Sequence, residues 1–242
     1  MPDARDARKL SSAPETYPNL LSLAVHELRT PASVVAGYLG MIQRDTTTPL
    51  NERHAKMIDE AAKSCARIAE IVEEISVVGK LDTGEITFSR QPVDVFALIS
   101  EVAELVHEGR DREVHLQVRG EDHGASLSGD GPRLRAAFTA VFRAILREKS
   151  GPLTVISDRR VVTSDGRTSA VVIVSDEATV QEAYEREPGP FVWKERGGLG
   201  LTLPLARRTI EGHDGRLWSP KPILENDPLT RGSAIISLPI RS

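Results

Sequence analysis

The stretch Leu21-Ser22-Leu23-Ala24-Val25-His26-Glu27-Leu28-Arg29-Thr30-Pro31 decides how the rest of the chain is read. Apolar or small residues fall at Leu21, Ala24, Leu28, Pro31, Val35, Tyr38 and Ile42, in alternating steps of three and four. That 3.5-residue repeat marks a helix with an apolar seam. Asp45-Thr46-Thr47-Thr48-Pro49 interrupts it as a tight connection. A second helix repeats the spacing at Ile58, Ala61, Cys65, Ile68, Val72 and Ile75, with Gly79 as its expected stop. Two helices on a short link make an antiparallel hairpin, and one hairpin buries too little alone. The pattern predicts an all-α helical hairpin whose segments Leu21–Ile42 and Ile58–Ile75 join a second copy in a dimeric four-helix bundle.

With Leu21 at heptad position a, His26 falls at f, the position farthest from the seam. Thr30 lies one turn on and shares its face. Pro31 inside a regular helix costs about 3 kcal/mol or kinks it. An outward imidazole on a rigid helix beside a local irregularity is a candidate nucleophile. The competing reading is a histidine that is simply solvated.

From Leu81-Asp82-Thr83-Gly84 onward the seam ends and mixed elements begin. Ile86–Ser89 reads as a strand. Asp94 is a good N-cap for a helix over Val95–His107. Val114, Leu116 and Val118 alternate with polar residues as a half-buried strand does. Pro132–Glu148 is an amphipathic helix, followed by strands at Leu153–Val162 and Thr168–Ser175 around a Ser164-Asp165-Gly166-Arg167 turn. Glu177–Arg196 is polar, holds Pro188 and Pro190, and reads as a long surface loop. A helix at Thr202–Gly212 and a strand at Ala234–Leu238 complete the chain. Helices and strands alternate without a regular βαβ rhythm, which predicts an α+β sandwich. The expected division is a flexible tail at 1–18, the helical domain at 19–82 and the sandwich at 83–242.

Composition narrows the partners. The 242 residues carry a net charge of −4, so no bulk basic charge exists to neutralise a phosphate backbone, and nucleic acid is not an expected partner. Cys65 is the single cysteine, which excludes an internal disulfide framework and suits a reducing cytoplasm. Apolar runs fall far short of the ~20 residues a membrane span needs, and Met1–Leu10 lacks the apolar core of a signal peptide. A cytoplasmic location without a membrane segment is expected.

His26-Glu27-Leu28-Arg29-Thr30-Pro31 resembles the H-box of two-component sensor histidine kinases. The hairpin resembles their dimerisation and phosphoacceptor domain, and the remainder resembles their ATP-binding domain of the gyrase/Hsp90/histidine-kinase (Bergerat) type. The resemblance implies a phosphorelay protein phosphorylated on His26, with a response-regulator receiver domain as partner. It implies that Glu27 acts as base and that Thr30 helps orient water. A neutral imidazole offers one lone pair for attack on phosphorus. Adjacent helical residues diverge by about 100°, so Glu27 must reach round to serve.

The second domain matches with departures. Gly197-Gly198-Leu199-Gly200-Leu201-Thr202 is similar to the phosphate-binding G2 box, with Thr202 in place of its last glycine and available as an N-cap. Asp176 matches the carboxylate that accepts from the adenine amino group, but Glu177-Ala178-Thr179-Val180 lacks the glycines that follow it in the family. Ala140 and Ala144 stand where two asparagines help hold Mg²⁺ and phosphate, and a methyl group cannot ligate a hard cation. Arg147 stands where a phosphate-facing lysine is usual. The implied ATP binding is weak or lost, and the departures count against a Mg²⁺ site. Alternatives to an ATP-dependent autokinase are an ATP-independent histidine phosphotransferase or pseudokinase and a non-enzymatic dimeric scaffold.

Overall fold

The computed structural model describes residues 17–48, 50–164, 166–191 and 201–240, with the side chains of 17–20 left aside. The chain divides into two compact units between Ile86 and Thr87.

The first unit is the hairpin of α1 (Tyr17–Arg44) and α2 (Glu52–Asp82). Their connection is organised by polar side chains. Asp45 Oδ1 accepts from the backbone N–H of Thr47 at 2.8 Å and from its hydroxyl at 2.5 Å. Asn51 caps α2 by accepting from His54 N at 2.9 Å. Gly79 does not stop α2 as expected. The helix runs on to Asp82, and Gly84 (φ 73°) takes the left-handed conformation that favours glycine. Gly79 instead faces α1, where an added Cβ would already touch Leu21 Cδ2 at 3.7 Å.

The apolar stripe that faces α2 is not the whole expected seam. Val25 is buried, with Ala32 and Leu39 partly buried at seven-residue intervals, and Cys65, Val72 and Val78 are buried on α2. Leu28, Val35, Tyr38 and Ile42 of the expected seam remain 41–61% exposed. Helix α1 therefore carries two neighbouring apolar stripes, and one of them is uncovered in the single chain.

The second unit is an α/β domain whose mixed sheet is covered by helices on both faces. Strand β1 (Gln91–Asp94) pairs antiparallel with β3 (Ser126–Gly129). The main sheet has the order β2-β4-β5-β8-β7-β6, from β2 (Val114–Gly120), β4 (Leu153–Ser164), β5 (Arg167–Asp176), β6 (Pro188–Gly189), β7 (Arg216–Pro220) and β8 (Ala234–Pro239). Only β2–β4 is parallel; every other neighbour is antiparallel. The helices are α3 (Val95–Leu105), α4 (Gly131–Arg147), α5 (Val180–Glu185), α6 (Thr202–Glu211) and α7 (Pro228–Arg231).

Side chains alternate across a strand, so β5 and β8 serve both layers. Ala170, Val172, Val174, Ala234, Ile236 and Leu238 join the main core with α3, α4 and α6. Val171, Ile173 and Ile235 point the other way, against Ala183, Val180 and Tyr184 of α5 and Leu229 of α7. Helix caps fix the entries. Asp94 accepts from Phe96 N at 3.0 Å, as expected, and Asp130 accepts from Arg133 N at 3.1 Å. Asp130 N also donates to Nε2 of buried His213 at 2.8 Å, tying the start of α4 to the end of α6.

Two expectations fail. Ile86–Ser89 is not a strand; Phe88 packs against His213 with ring centroids 4.9 Å apart, and the strand lies at Gln91–Asp94, where β3 supplies a partner. The region 177–191 is not a featureless loop. Val180, Ala183 and Tyr184 give α5 an apolar face that the sheet buries, and Pro188 sits on a two-residue edge strand, where its missing N–H is tolerated. Residues 192–196 lie outside the described residues.

Asp227 links α5 to α7. It accepts from Ile223 N at 3.1 Å and Leu229 N at 3.0 Å and pairs with Arg186 at 2.6 Å. Burial acts to raise its carboxyl, but those donors and Arg186 outweigh burial and hold it below the ordinary carboxylate range. A depressed folded-state pKa contributes stability above the unfolded value and loses it as pH falls. Asp227→Asn should lower stability by about 1–3 kcal/mol at neutral pH. Denaturant titrations over a pH series should show the gap closing as acidification passes through the ordinary carboxylate range and below it.

Candidate functional site

His26 stands on α1 with 79% of its side chain exposed, one residue after buried Val25. The burial of Val25 against α2 fixes the rotation of the helix, and that rotation turns His26 outward. Glu27 does reach round: its Oε1 lies 3.5 Å from His26 Nδ1, within ion-pair range but long for a hydrogen bond. Glu27 is itself 72% exposed, and Thr30 is exposed on the next turn. Pro31 lies inside α1, and because proline has no N–H, the carbonyl of Glu27 loses its ordinary helical donor. Arg29 reaches across to Glu73 of α2 at 2.8 Å and clamps the hairpin at this level. The structure thus brings His26, Glu27 and Thr30 together on one exposed segment.

The other expected residues belong to the second unit. Asp176 ends β5, and its Oδ1 lies 2.6 Å from the ammonium of Lys149, a residue that sequence reasoning missed. The approach is that of an ion pair without hydrogen-bond geometry, so buried Oδ1 has no hydrogen-bond donor. Arg147 is engaged by Glu108, its Nε donating to Oε1 at 2.7 Å, while Arg143 donates to Oε2 at 3.1 Å. Burial acts to raise the Glu108 carboxyl, and the two arginines outweigh it and hold it low. Gly197, Gly198 and Gly200 lie outside the described residues. Thr202 is the first residue of α6 rather than its cap; Leu201 holds the cap position without a side-chain hydrogen bond.

The fit to a magnesium nucleotide is poor on the described residues. Ala140 is 6% exposed and Ala144 fully buried, both in the apolar cluster that includes Leu203, Ala206 and Ile210 of α6. Neither side chain offers an oxygen, and both are packed among apolar neighbours. Among the described residues no group of three or more His, Cys, Asp or Glu side chains is placed to hold a metal ion. No described helix is long and apolar enough to cross a membrane. An asparagine at 144 would have to bury an amide in a packed apolar core, at a cost of about 1–3 kcal/mol. Ala144→Asn should therefore lower the melting temperature without creating Mg²⁺ binding, as calorimetric titration with MgCl₂ would register.

Comparison with known proteins follows the same division. Residues 19–84 match the family model of the His Kinase A (phospho-acceptor) domain. The chain is 30% identical over 203 residues to the probable sensor histidine kinase TcrY of Mycobacterium tuberculosis, covering 80% of this chain and 41% of that protein. It is 27% identical over 223 residues to the signal transduction histidine-protein kinase BaeS of Escherichia coli, covering 89% of this chain and 45% of the relative. It thus spans less than half of either relative. Among solved structures, full-length ShkA in complex with AMPPNP superposes with a TM-score of 0.67 at 20% identity, over 94% of this chain and 47% of that one. Histidine kinase AdeS of Acinetobacter baumannii gives 0.53 at 16% identity, over 89% of this chain and 96% of that one. These likenesses support the fold, a helical hairpin followed by an α/β domain with a mixed sheet. With the phospho-acceptor match lying on the segment that exposes His26, the chain belongs to the two-component sensor histidine kinase family.

Proposed function

We propose that this chain carries a phosphoryl group on His26 and exchanges it with an aspartate of a response-regulator receiver domain. The observation that carries the reading is the outward, 79% exposed imidazole with the Glu27 carboxylate 3.5 Å away. In the loading direction the imidazole nitrogen bearing the lone pair attacks the phosphorus of an aspartyl phosphate. A P–N bond forms, the P–O bond to the acyl oxygen breaks, and the aspartate leaves as a carboxylate. Glu27 is the acceptor for the imidazole proton. In this reading Thr30, exposed one turn on from His26, orients water for hydrolysis of the partner's acyl phosphate.

The working unit in this reading is a homodimer. The uncovered stripe of Leu28, Val35, Tyr38 and Ile42 is what a second hairpin would bury to complete a four-helix bundle. An ATP-independent phosphotransferase is favoured over an autokinase by the apolar burial of Ala140 and Ala144 and by the pairing of Asp176 with Lys149.

The test is radiolabel transfer from receiver domains loaded with acyl phosphate, alongside labelling from ATP. Native protein should take up acid-labile label from a cognate receiver. His26→Ala should keep its melting temperature, because the site is exposed, yet take up none. Label on that variant, or none on native protein with every receiver tried, overturns the reading. For assembly, light scattering should give twice the chain mass. Leu28→Asp, which places an unpaired charge in the stripe, should give the monomer or an unfolded chain. A monomeric mass for native protein would refute the dimer.

A further inference from the structure

A cavity of about 660 Å³ opens in the second unit between the end of α4, the end of β5 and the α5 and α7 elements on the far side of the sheet. Its wall includes Lys149, Asp176, Glu182, Arg186 and Arg231. Most of these charges are matched across the wall: Arg186 with Asp227 and Glu182, Arg231 with Glu148. Lys149 differs from the other cations here because its ammonium is buried. Only 8% of its side chain is exposed, although lysine is among the residues least often buried.

Local structure makes room for it. Lys149 follows the C-terminal end of α4, and its side chain runs over Gly232 to Asp176. A Cβ at position 232 would collide with the ammonium, so this course depends on glycine there. The distance from Nζ to Asp176 Oδ1, 2.6 Å, is one that the amino nitrogen of a bound ligand would take to the same oxygen. A ligand nitrogen set at that place on Oδ1 would coincide with Nζ, so the two compete for the position.

We propose that Lys149 is an internal ligand: the Asp176 end of this cavity is built to receive an amine or the amino group of a base, and in this chain the Lys149 ammonium takes that place on Oδ1. This rests on the assignment of Asp176 as a ligand-facing carboxylate. It deepens the proposed function by supplying a reason why loading of His26 bypasses nucleotide. With Oδ1 of Asp176 already met by its own cation, that end of the cavity has its charge balanced without a ligand. Asp176 is itself about one-third exposed, but its Oδ1 is buried, and the Lys149 ammonium is the charge that meets that oxygen.

Chemical rescue tests this directly. Lys149→Ala removes a chain closely matched by n-propylammonium. The variant should melt several degrees below native protein, and tens of millimolar n-propylammonium should restore most of the loss. Sodium or tetramethylammonium, which have no N–H to donate, should not. Lys149→Ala/Asp176→Asn should not respond. Adenosine, the probe for an amino-bearing base, should shift the melting of Lys149→Ala and leave native protein unmoved. A folded Lys149→Ala that responds to neither probe overturns the proposal, as does native protein that binds adenosine.

Should the variant not fold, amine-reactive labelling of native protein followed by mass spectrometry decides. Lys149 should be protected to the same degree with and without saturating adenosine, and exposure of Lys149 by adenosine overturns the proposal. Label transfer from a receiver to His26 is unaffected by these outcomes, so failure here is distinguishable from failure of the phosphotransfer reading.

Discussion

The double-sided burial of β5 is the constraint on which the second unit depends. Val172 and Val174 lie in the core beneath α3, α4 and α6, while Val171 and Ile173 lie against α5 and α7. A strand apolar on both faces must be covered on both, and the chain achieves this by sending residues after Asp176 to the far side of the sheet. That routing brings Asp227, Arg186 and Gly232 to the end of the strand where Asp176 sits. The carboxylate that ends β5 therefore meets a wall of charged side chains, and Lys149 is the one buried against it.

In the hairpin, the corresponding constraint is rotational. Val25 and Cys65 are buried at the helix interface, and Cys65 Sγ donates to Ala32 O at 3.2 Å. Once Val25 faces inward, His26 has no inward orientation available. The exposure of the imidazole is thus a product of packing one residue away. Small volume changes at position 25 would re-aim the histidine without touching it.

Much of this was legible in the chain because it is periodic. The helical repeats over 21–42 and 58–75, the Asp94 cap and the alternation through 114–118 all came from local pattern. The division of that repeat into two stripes did not, because a one-dimensional spacing does not say which of two adjacent faces meets α2 and which stays uncovered. Helix α5 escaped notice because its apolar face spans only three residues between polar ones, and its burial is decided by a strand elsewhere. Lys149 was invisible for a similar reason. Its partner is 27 positions on, and its course over Gly232 depends on a residue still farther along. The His26 segment was readable because its three candidate groups lie within five residues.

The outer rim of the main sheet carries a consequence of its own. Strand β6 is two residues long, and Pro188 is registered against Pro220 of β7. Proline presents no amide hydrogen, so this rim offers an incoming strand almost no ladder to extend. Strand addition beyond β6 itself is thereby disfavoured. At that rim, contact with another chain is left to side-chain surfaces, while the opposite edge, β2, keeps a seven-residue ladder free on its outer side among the described residues.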